Sequence, residues 1–256
     1  MNNNFLIDTH CHINLADDID GMIIDAERCN VKKFIISGCD RKSIRDGLEI
    51  IYRYPSIYMT AGFHPDEADD LEDKDIEDLE KLILTNKKIV GIGEIGLDYY
   101  HNDMNIDKQK EIFIKQLELA NKYDLPVVIH SRDSIQDVYD ILKEHKARGV
   151  IHCYSGSLEM AKLFIDLGFY LGIGGVLTFK NSKLKEVLSE ISLDNIVLET
   201  DSPYLAPEPY RGHPNFPQNI KIIAQHVAKT KEVPIEEVTK ITTNNVYKIY
   251  GLKEDC

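Results

Sequence analysis

The sequence lacks the cysteine pattern of a disulfide-stabilised protein or of a thiolate zinc site. Its five cysteines form an odd set, and none stands in a Cys-x-x-Cys motif, which fits a reducing compartment. The first residues, MNNNFLIDTH, have neither the basic nor the apolar region of an export signal. No apolar run approaches the ~18–20 residues of a membrane span. We therefore expect a cytoplasmic protein that does not enter a membrane.

Positive charge is also scarce in this chain. Its 30 Lys and Arg residues are outnumbered by 43 Asp and Glu residues, so the formal net charge is -13. A protein that coats nucleic acids neutralises phosphates with basic side chains, so this balance argues against that class. It does not exclude an enzyme that engages a phosphate locally, because bound divalent cations reverse the sign of charge inside a site. Residues 66–81 carry ten of the acids beside a helical apolar stripe, which predicts a solvated helix face.

Short β-branched or aromatic runs alternate with longer helical patterns along the chain, without a break in composition. The first strand is followed by histidines rather than by the Gly-rich phosphate loop of a doubly wound sheet. The pattern predicts an α/β fold, a single (β/α)8 TIM barrel over residues 1–256 with extra C-terminal helices. The predicted strands are Phe5–Thr9, Lys33–Ser37, Ile57–Ala61, Ile89–Gly93, Val127–His130, Val150–His152, Phe169–Ile173 and Ile196–Glu199.

Metal-ligand side chains stand where the predicted strands end, which is the face that carries the active site in such barrels. Side chains alternate along a strand, so His10 and His12 point to the same face. Four later strands deliver residues of the same kind to this end of the barrel. The six candidate metal ligands are His10, His12, Glu94, His130, His152 and Asp201.

This ligand set predicts two divalent ions per chain. A catalytic ion must keep one position open, so six protein ligands are too many for one ion. We assign His10, His12 and Asp201 to one ion, His130 and His152 to the other, and Glu94 as the bridge, although Glu94 could instead bind one ion only. Imidazoles and carboxylates without a thiolate suit Zn, Mn, Fe, Co or Ni and, with extra water, Mg.

Two carboxylates are also the predicted catalytic residues. Asp201 would accept a proton from the attacking water, the alternative being pure ligation, while Glu94 would hold the ions. Asp8 and Glu199 share the faces of ligands and are expected to orient them through hydrogen bonds. Cys11 and Cys153 neighbour ligands, but alternation along a strand points them outward, so we expect neither to be a nucleophile.

Four further residues are predicted to bind substrate. His64 in Gly-Phe-His-Pro would hydrogen-bond a phosphate or the leaving oxygen, or else fill the barrel mouth. Arg132 would bind a phosphate, or else pair with a nearby acid. Tyr154, like Tyr99 and Tyr204, would stack on a base, with packing as the alternative. Arg211, with Asn215, would hold a second phosphate on a proline-rich loop, or else form a surface turn.

These motifs together resemble the TatD family of metal-dependent deoxyribonucleases, within the amidohydrolase-like barrels. The resemblance rests on residues 8–12, 93–99, 130–132, 152–156 and 199–205. It implies a TIM barrel, a two-ion site that uses Mg or Mn, and phosphodiester hydrolysis, often 3′-to-5′ removal of nucleotides from single-stranded DNA. The expected partner is then single-stranded DNA or a DNA end, without an obligate protein partner. We assign no role to His101 or His213.

Glu94 stands where related amidohydrolases often carry a carboxylated lysine, which favours the phosphodiesterase branch. Two alternatives stay open at this point. The first is a metal-dependent hydrolase of another bond, such as a small phosphoester or an amide. The second is a barrel that has lost catalysis and binds a partner.

Overall fold

Eight parallel strands follow one another in sequence order around a barrel. The computed structural model describes residues 4–100 and 105–252, so His101 lies outside the described residues. Each strand pairs in parallel with the next, from the first to the eighth. The strands are β1 (Leu6–Cys11), β2 (Val31–Gly38), β3 (Ile57–Ala61), β4 (Ile89–Asp98), β5 (Val127–Arg132), β6 (Gly149–Ile151), β7 (Tyr170–Ile173) and β8 (Ile196–Leu198).

A helix follows every strand, and one additional helix ends the described chain, which confirms the predicted TIM barrel. None of the described helices is long and apolar enough to cross a membrane. The helices are α1 (Ile19–Arg28), α2 (Arg41–Arg53), α3 (Asp73–Thr85), α4 (Ile106–Lys122), α5 (Ile135–His145), α6 (Leu158–Asp166), α7 (Leu184–Glu190), α8 (Ile220–Lys231) and α9 (Ile235–Tyr250).

The acidic segment is not the single helix that its apolar stripe predicts. A short 3-10 helix over Pro65–Asp70 precedes α3. Between them, the extended residue Leu71 buries its side chain, and the backbone N–H of Glu72 donates to Asp75 Oδ2 at 2.9 Å in a capping box. The chain is thus extended at Leu71, and the helix starts again at Asp73 behind this capping box. Its acidic face is solvated and paired with cations, as at Asp75 and Arg41.

Strand β4 is five residues longer than predicted. Beyond Gly93 it continues to pair with β5, with Gly96 opposite His130 and Asp98 opposite Arg132. Gly96 has φ of +147°, and a Cβ at this position would lie 2.0 Å from the carbonyl oxygen of His130. Only glycine permits this approach, so β4 carries its side chains further toward the barrel mouth than its sequence indicates.

Two hydrophobic clusters form the core on the two faces of the sheet. The larger one lies between the strands and the surrounding helices. The smaller one lies inside the barrel, at the amino ends of the strands, where the end of α9 packs against the strand side chains. Its buried members are Ile7, Ile35, Val90, Val128, Val150, Val197, Val246, Ile249, Tyr250 and Leu252. The additional helix thus covers the end of the barrel opposite the predicted site.

The barrel closes between β8 and β1 through the segments that carry predicted metal ligands. The Thr9 hydroxyl donates to the Leu198 carbonyl at 2.9 Å, and the Asp201 N–H donates to the His10 carbonyl at 2.9 Å. Two residues further along the chain, the N–H of His12 donates to the Ser202 carbonyl at 2.7 Å. Closure of the barrel therefore fixes the backbones of His10, His12 and Asp201 relative to one another.

Two buried glutamines of α4 clamp the backbone beside two other strand ends. Gln116 accepts from the Phe63 N–H at 2.7 Å and donates to the Phe63 carbonyl at 3.1 Å. Gln109 makes the same pair of bonds with Asp98, at 3.0 and 2.9 Å. A spacing of seven residues places both amides on one face of the helix. One helix therefore positions both His64, which follows Phe63, and the end of β4.

Replacing Gln116 by leucine should lower the free energy of unfolding by about 2–4 kcal/mol, because a buried N–H and a buried carbonyl of Phe63 lose their partner. The measurement is urea denaturation followed by circular dichroism. The control is Gln136→Leu, since Gln136 is exposed on α5 and bonds only to Asp140 among the contacts described. Equal stabilities of the two variants would contradict the clamp.

Candidate metal centre

The carboxylate of Glu94 lies at the middle of the predicted ligand set. The side chain leaves β4 toward the barrel axis and is almost fully buried. Its Oε1 lies 2.8 Å from His130 Nδ1 and 3.8 Å from His152 Nε2, and its Oε2 lies 3.4 Å from His10 Nε2. One carboxylate thus contacts imidazoles from three other strands, which is the position expected of a bridge.

Asp201 and His12 complete one side of this centre. Asp201 Oδ1 lies 3.4 Å from His12 Nε2, 3.6 Å from His10 Nε2 and 3.7 Å from His152 Nε2. The Nε2 atoms of His10 and His12 are 3.3 Å apart. Imidazole nitrogens and carboxylate oxygens therefore converge on a common point, which suits a divalent cation with nitrogen and oxygen ligands.

The charges of the buried groups also suit a cation. Burial raises the pKa of Glu94, but His152, His10 and His130 more than offset this and hold the pKa well below its usual range. Burial likewise raises the pKa of Asp201, and the hydrogen bond with His12 together with His152 and His10 lowers it on balance. Burial lowers the pKa of His10. The centre therefore offers ionised carboxylates and, at His10, a neutral imidazole, which are the forms that bind metal ions. Burial lowers the pKa of His152, but Cys153, Glu199 and Glu94 raise it well above its usual range, so this ring must lose a proton to bind an ion.

The grouping of the histidines differs from the predicted one. The ring of His152 stacks on His10 with centroids 3.7 Å apart, and its ligand atom groups with those of His10 and Asp201. His130 groups instead with Glu94 and His64, whose ring lies 4.4 Å from that of His130. The assignment of His130 and His152 to one ion stays a prediction, and His64 joins the imidazoles of the centre.

Asp98 is a candidate functional residue that the sequence analysis missed. Its buried carboxylate lies 3.0 Å from His130 Nε2 and accepts from the Tyr100 N–H at 2.9 Å. With Nε2 held by Asp98, His130 turns Nδ1 toward Glu94, in the carboxylate–histidine arrangement common beside bound metals. The signal in the sequence is its even spacing from Glu94, but it is informative only once β4 is known to extend that far.

Glu199 lies beside His152, as its predicted role requires. Its Oε1 is 3.1 Å from His152 Nδ1 and accepts from the Cys153 N–H at 2.5 Å. Room for this carboxylate comes from Gly172 on β7, where a Cβ would lie 2.5 Å from Glu199 Oε2. Glu199 Oε1 and His152 Nδ1 do not meet the geometry of a hydrogen bond among the described residues, so orientation of His152 by Glu199 stays a prediction.

Asp8 does not orient a histidine ring, and this expectation is wrong. Its carboxylate accepts from the Thr200 N–H at 2.9 Å and from the Thr200 hydroxyl at 2.6 Å, and only the backbone of His10 approaches it, at 3.4 Å. The pairing register with β2 shifts between Asp8 and Cys11, so the alternation that puts Asp8 on the face of His10 fails there. Asp8 instead ties β1 to the segment after β8.

Tyr154 does not lie in a position to bind substrate, and this prediction is also wrong. Only 2% of the residue is exposed, and its hydroxyl donates to the Ser157 carbonyl. Asn215 is fully buried as well, and its amide bonds to the backbone of Thr200 and Tyr204 at 2.7 and 2.8 Å. Both side chains hold loops in place, which leaves no face or donor for a base or phosphate.

The two predicted arginines stack on aromatic rings. The Arg132 guanidinium lies 3.5 Å from the centroid of the Tyr100 ring, and that of Arg211 lies 4.4 Å from Phe179. Both side chains are exposed, and Tyr204 is exposed beside His12 with ring centroids 5.7 Å apart. Substrate binding by Arg132 and Arg211 stays a prediction.

The two cysteines beside ligands differ in position. Cys11 is buried in the larger cluster, as alternation indicates. Cys153 does not point outward, because β6 ends at Ile151 and Cys153 adopts φ of 45°, so its thiol groups with His152 and Glu199. Burial raises the pKa of the Cys153 thiol, which keeps it protonated and poorly nucleophilic.

For the two ions that the ligand set predicts, replacing Asp98 by asparagine should lower the affinity for the ion bound by His130 by about 10–100-fold, because His130 loses the anion that orients its ring. Isothermal titration of the metal-free protein with Mn²⁺ would show one affinity reduced and the other retained. Asp137→Asn is the control, since Asp137 bonds to Tyr99 and Lys110 away from the ligands. Two unchanged affinities in Asp98→Asn would exclude the role.

Ion binding should release protons and strengthen as pH rises. Burial lowers the pKa of His130, but the hydrogen bonds to Asp98 and Glu94 outweigh it and raise the pKa to about 9. A protonated ring nitrogen cannot bind a cation, so affinity should increase from about pH 6 toward pH 9. Titrations at neutral pH in buffers of different ionisation enthalpy count the protons, and a count of zero would contradict this prediction.

Comparison with known proteins agrees with this geometry. The family model described as TatD related DNase matches residues 7–251. The uncharacterized metal-dependent hydrolase YabD of Bacillus subtilis (strain 168) is 40% identical over 254 residues, which are 96% of this chain and 99% of that protein. YcfH of Escherichia coli (strain K12), of the same description, is 33% identical over 258 residues, covering 97% and 96% of the two chains.

Solved structures give the same relationship. The crystal structure of YjjV, a TatD homologue from Escherichia coli K12, superimposes with a TM-score of 0.93 at 30% identity, covering 99% of this chain and 100% of that one. A TatD family hydrolase from Entamoeba histolytica gives a TM-score of 0.87 at 24% identity, covering 96% and 98%. This chain therefore belongs to the TatD-related DNase family, and its barrel carries the histidine and carboxylate set of a metal-dependent hydrolase.

Proposed function

We propose that this protein hydrolyses phosphodiester bonds with two divalent ions, Mg or Mn, and removes nucleotides from the 3′ end of single-stranded DNA. The observation that carries the proposal is Glu94, a buried and ionised carboxylate in contact with imidazoles from three other strands. Membership of the TatD-related DNase family supports the phosphodiester as the bond that is cleaved.

Asp201 is the proposed proton acceptor. Ions held by the six ligands would supply the positive charge that activates a water molecule and offsets charge on the phosphate. Asp201 keeps a lowered pKa although it is largely buried, so it is ionised at neutral pH. Its side chain is 12% exposed, the largest value among the carboxylates of the centre, which leaves an oxygen accessible to a water at the edge.

His64 is the proposed donor to the leaving oxygen. Its Nδ1 accepts the N–H of Asp66 at 3.2 Å, at the start of the 3-10 helix that follows β3. The same Nδ1 also lies 3.3 Å from the carboxylate of Asp66. With Nδ1 engaged by Asp66, the other ring nitrogen, Nε2, is the one left to bond to the leaving oxygen, beside His130, whose ring lies 4.4 Å away.

Arg132 is the proposed contact for the neighbouring phosphate. It ends β5 next to Asp98 in the sheet register, and its guanidinium is exposed and stacked on Tyr100. Stacking already restricts the rotamers of the long side chain. The guanidinium therefore loses less conformational entropy when it binds a phosphate. The arrangement places a positive charge at the β4–β5 side of the mouth in an otherwise acidic protein.

The test is nucleotide release from single-stranded oligonucleotides labelled at the 3′ or the 5′ end, after chelation and re-addition of Mg²⁺ or Mn²⁺. We expect stepwise loss from the 3′ end that requires metal. Glu94→Ala should abolish it, because the variant lacks the charge that holds the ions together. Glu186→Ala, an exposed acid on α7, should behave like the wild-type protein.

If the wild-type protein releases no nucleotide from any oligonucleotide with any metal, the assignment to nucleic-acid substrates is wrong. The same preparation would then be assayed with small phosphoesters and cyclic amides. Metal-dependent turnover of an amide, with none of a phosphodiester, would assign the centre to another hydrolytic reaction.

A further inference from the structure

A groove that opens from the metal centre has no role in the chemistry described above. It lies between the segment that joins β1 to α1 and the segment that follows β8, and its volume is about 630 Å³. This is within the range of ~300–1,000 Å³ that small-molecule sites occupy. The candidate ligand His12 lines it, as does Ser202, which follows Asp201, so the groove begins beside the centre.

The lining of the groove is apolar at its base and acidic at its rim. Ile13, Met22 and Phe216 supply apolar surface, while Asp17, Asp18 and Asp25 are exposed acids. Asp25 also pairs with Arg28, outside the lining, at 2.8 Å. Among the described residues that line it, none is a lysine or an arginine. Such a surface accepts a flat and uncharged group and repels a further phosphate.

One polar atom of the groove also lacks a partner. Gln218 lines it, and its Oε1 is buried without a hydrogen-bond partner among the described residues. A buried carbonyl oxygen left in this state is costly. A rotation of the Gln218 side chain would turn the oxygen into the groove, where a ligand that donates an N–H to it would gain affinity. Every nucleobase carries at least one N–H donor.

We propose that this groove binds the terminal nucleoside of the substrate and requires a free 3′-hydroxyl there. The inference rests on the proposed exonuclease function. The phosphate to be cleaved lies at the ligands, its own nucleoside fills the groove beside His12, and the remaining chain leaves past Arg132. The groove and Arg132 thus bind the two sides of the scissile bond, one neutral and one anionic.

This placement fixes which bond is cleaved. The oxygen of water bonds to phosphorus as one proton passes to Asp201. The bond from phosphorus to the 3′ oxygen of the preceding nucleotide breaks, and that oxygen, which accepts a hydrogen bond from His64, takes a proton from solvent. The products are a 5′-mononucleotide, which leaves the groove, and a chain shortened by one residue with a new 3′-hydroxyl. A 3′-phosphate on the substrate would stand among the acids of the rim.

The test compares oligonucleotides of one sequence that end in a 3′-hydroxyl or a 3′-phosphate. We expect kcat/KM to be at least about tenfold lower for the 3′-phosphate, chiefly through KM, because the rim repels it. The ratio should shrink with added salt, which screens exposed charges. In the double variant Asp17→Asn and Asp25→Asn, the two ends should differ by less than about threefold.

The control is Asp20→Asn on the same helix. The Asp20 carboxylate accepts from Arg53 and Tyr54 outside the groove, so the discrimination should stay as in the wild-type protein. Equal kcat/KM values for the two ends would overturn the groove assignment while the exonuclease function stands. A discrimination that persists in the double variant would overturn it as well. Absence of hydrolysis from either end would instead refute the function on which the inference rests.

Discussion

The structure depends on a negative charge buried at the barrel mouth. Moving an isolated carboxylate out of water is very costly, so Glu94 is tolerable only because three imidazoles contact it. Those contacts come from strands far apart in sequence, and each ring must be held at its own position. Much of the remaining architecture serves that requirement, from the length of β4 to the small residue at Gly172 that leaves room for Glu199.

The same hydrogen bonds that close the barrel also position the metal ligands. The bonds that join β8 to β1 involve the backbones of His10, His12 and Asp201, and the side chain of Asp8 strengthens the same seam through Thr200. Before the barrel closes, three of the six candidate ligands, His10, His12 and Asp201, are therefore not held at their positions relative to one another. Ion binding should in turn favour the closed barrel, because ions bind the folded state alone.

Much of this arrangement could be predicted from the sequence, because strand order and alternation are local signals. They placed His10, Glu94 and His152 at one end of a barrel. What they missed depends on packing between distant segments. The irregular register at Asp8, the extension of β4 to Asp98 and the burial of Tyr154 each follow from neighbours that no local pattern specifies. Alternation also failed at Cys153, because the strand had already ended.

The two glutamine clamps of α4 have a further consequence. The side-chain amides of Gln109 and Gln116 hold the backbone at Asp98 and next to His64. A substitution that shifts α4 along its axis would move the backbone at Asp98 and the backbone next to His64 together, because both are bonded to this one helix. Relatives could thus change the position of His64 and the orientation of His130 by changing the outer packing of one helix, with every residue at the barrel mouth unchanged.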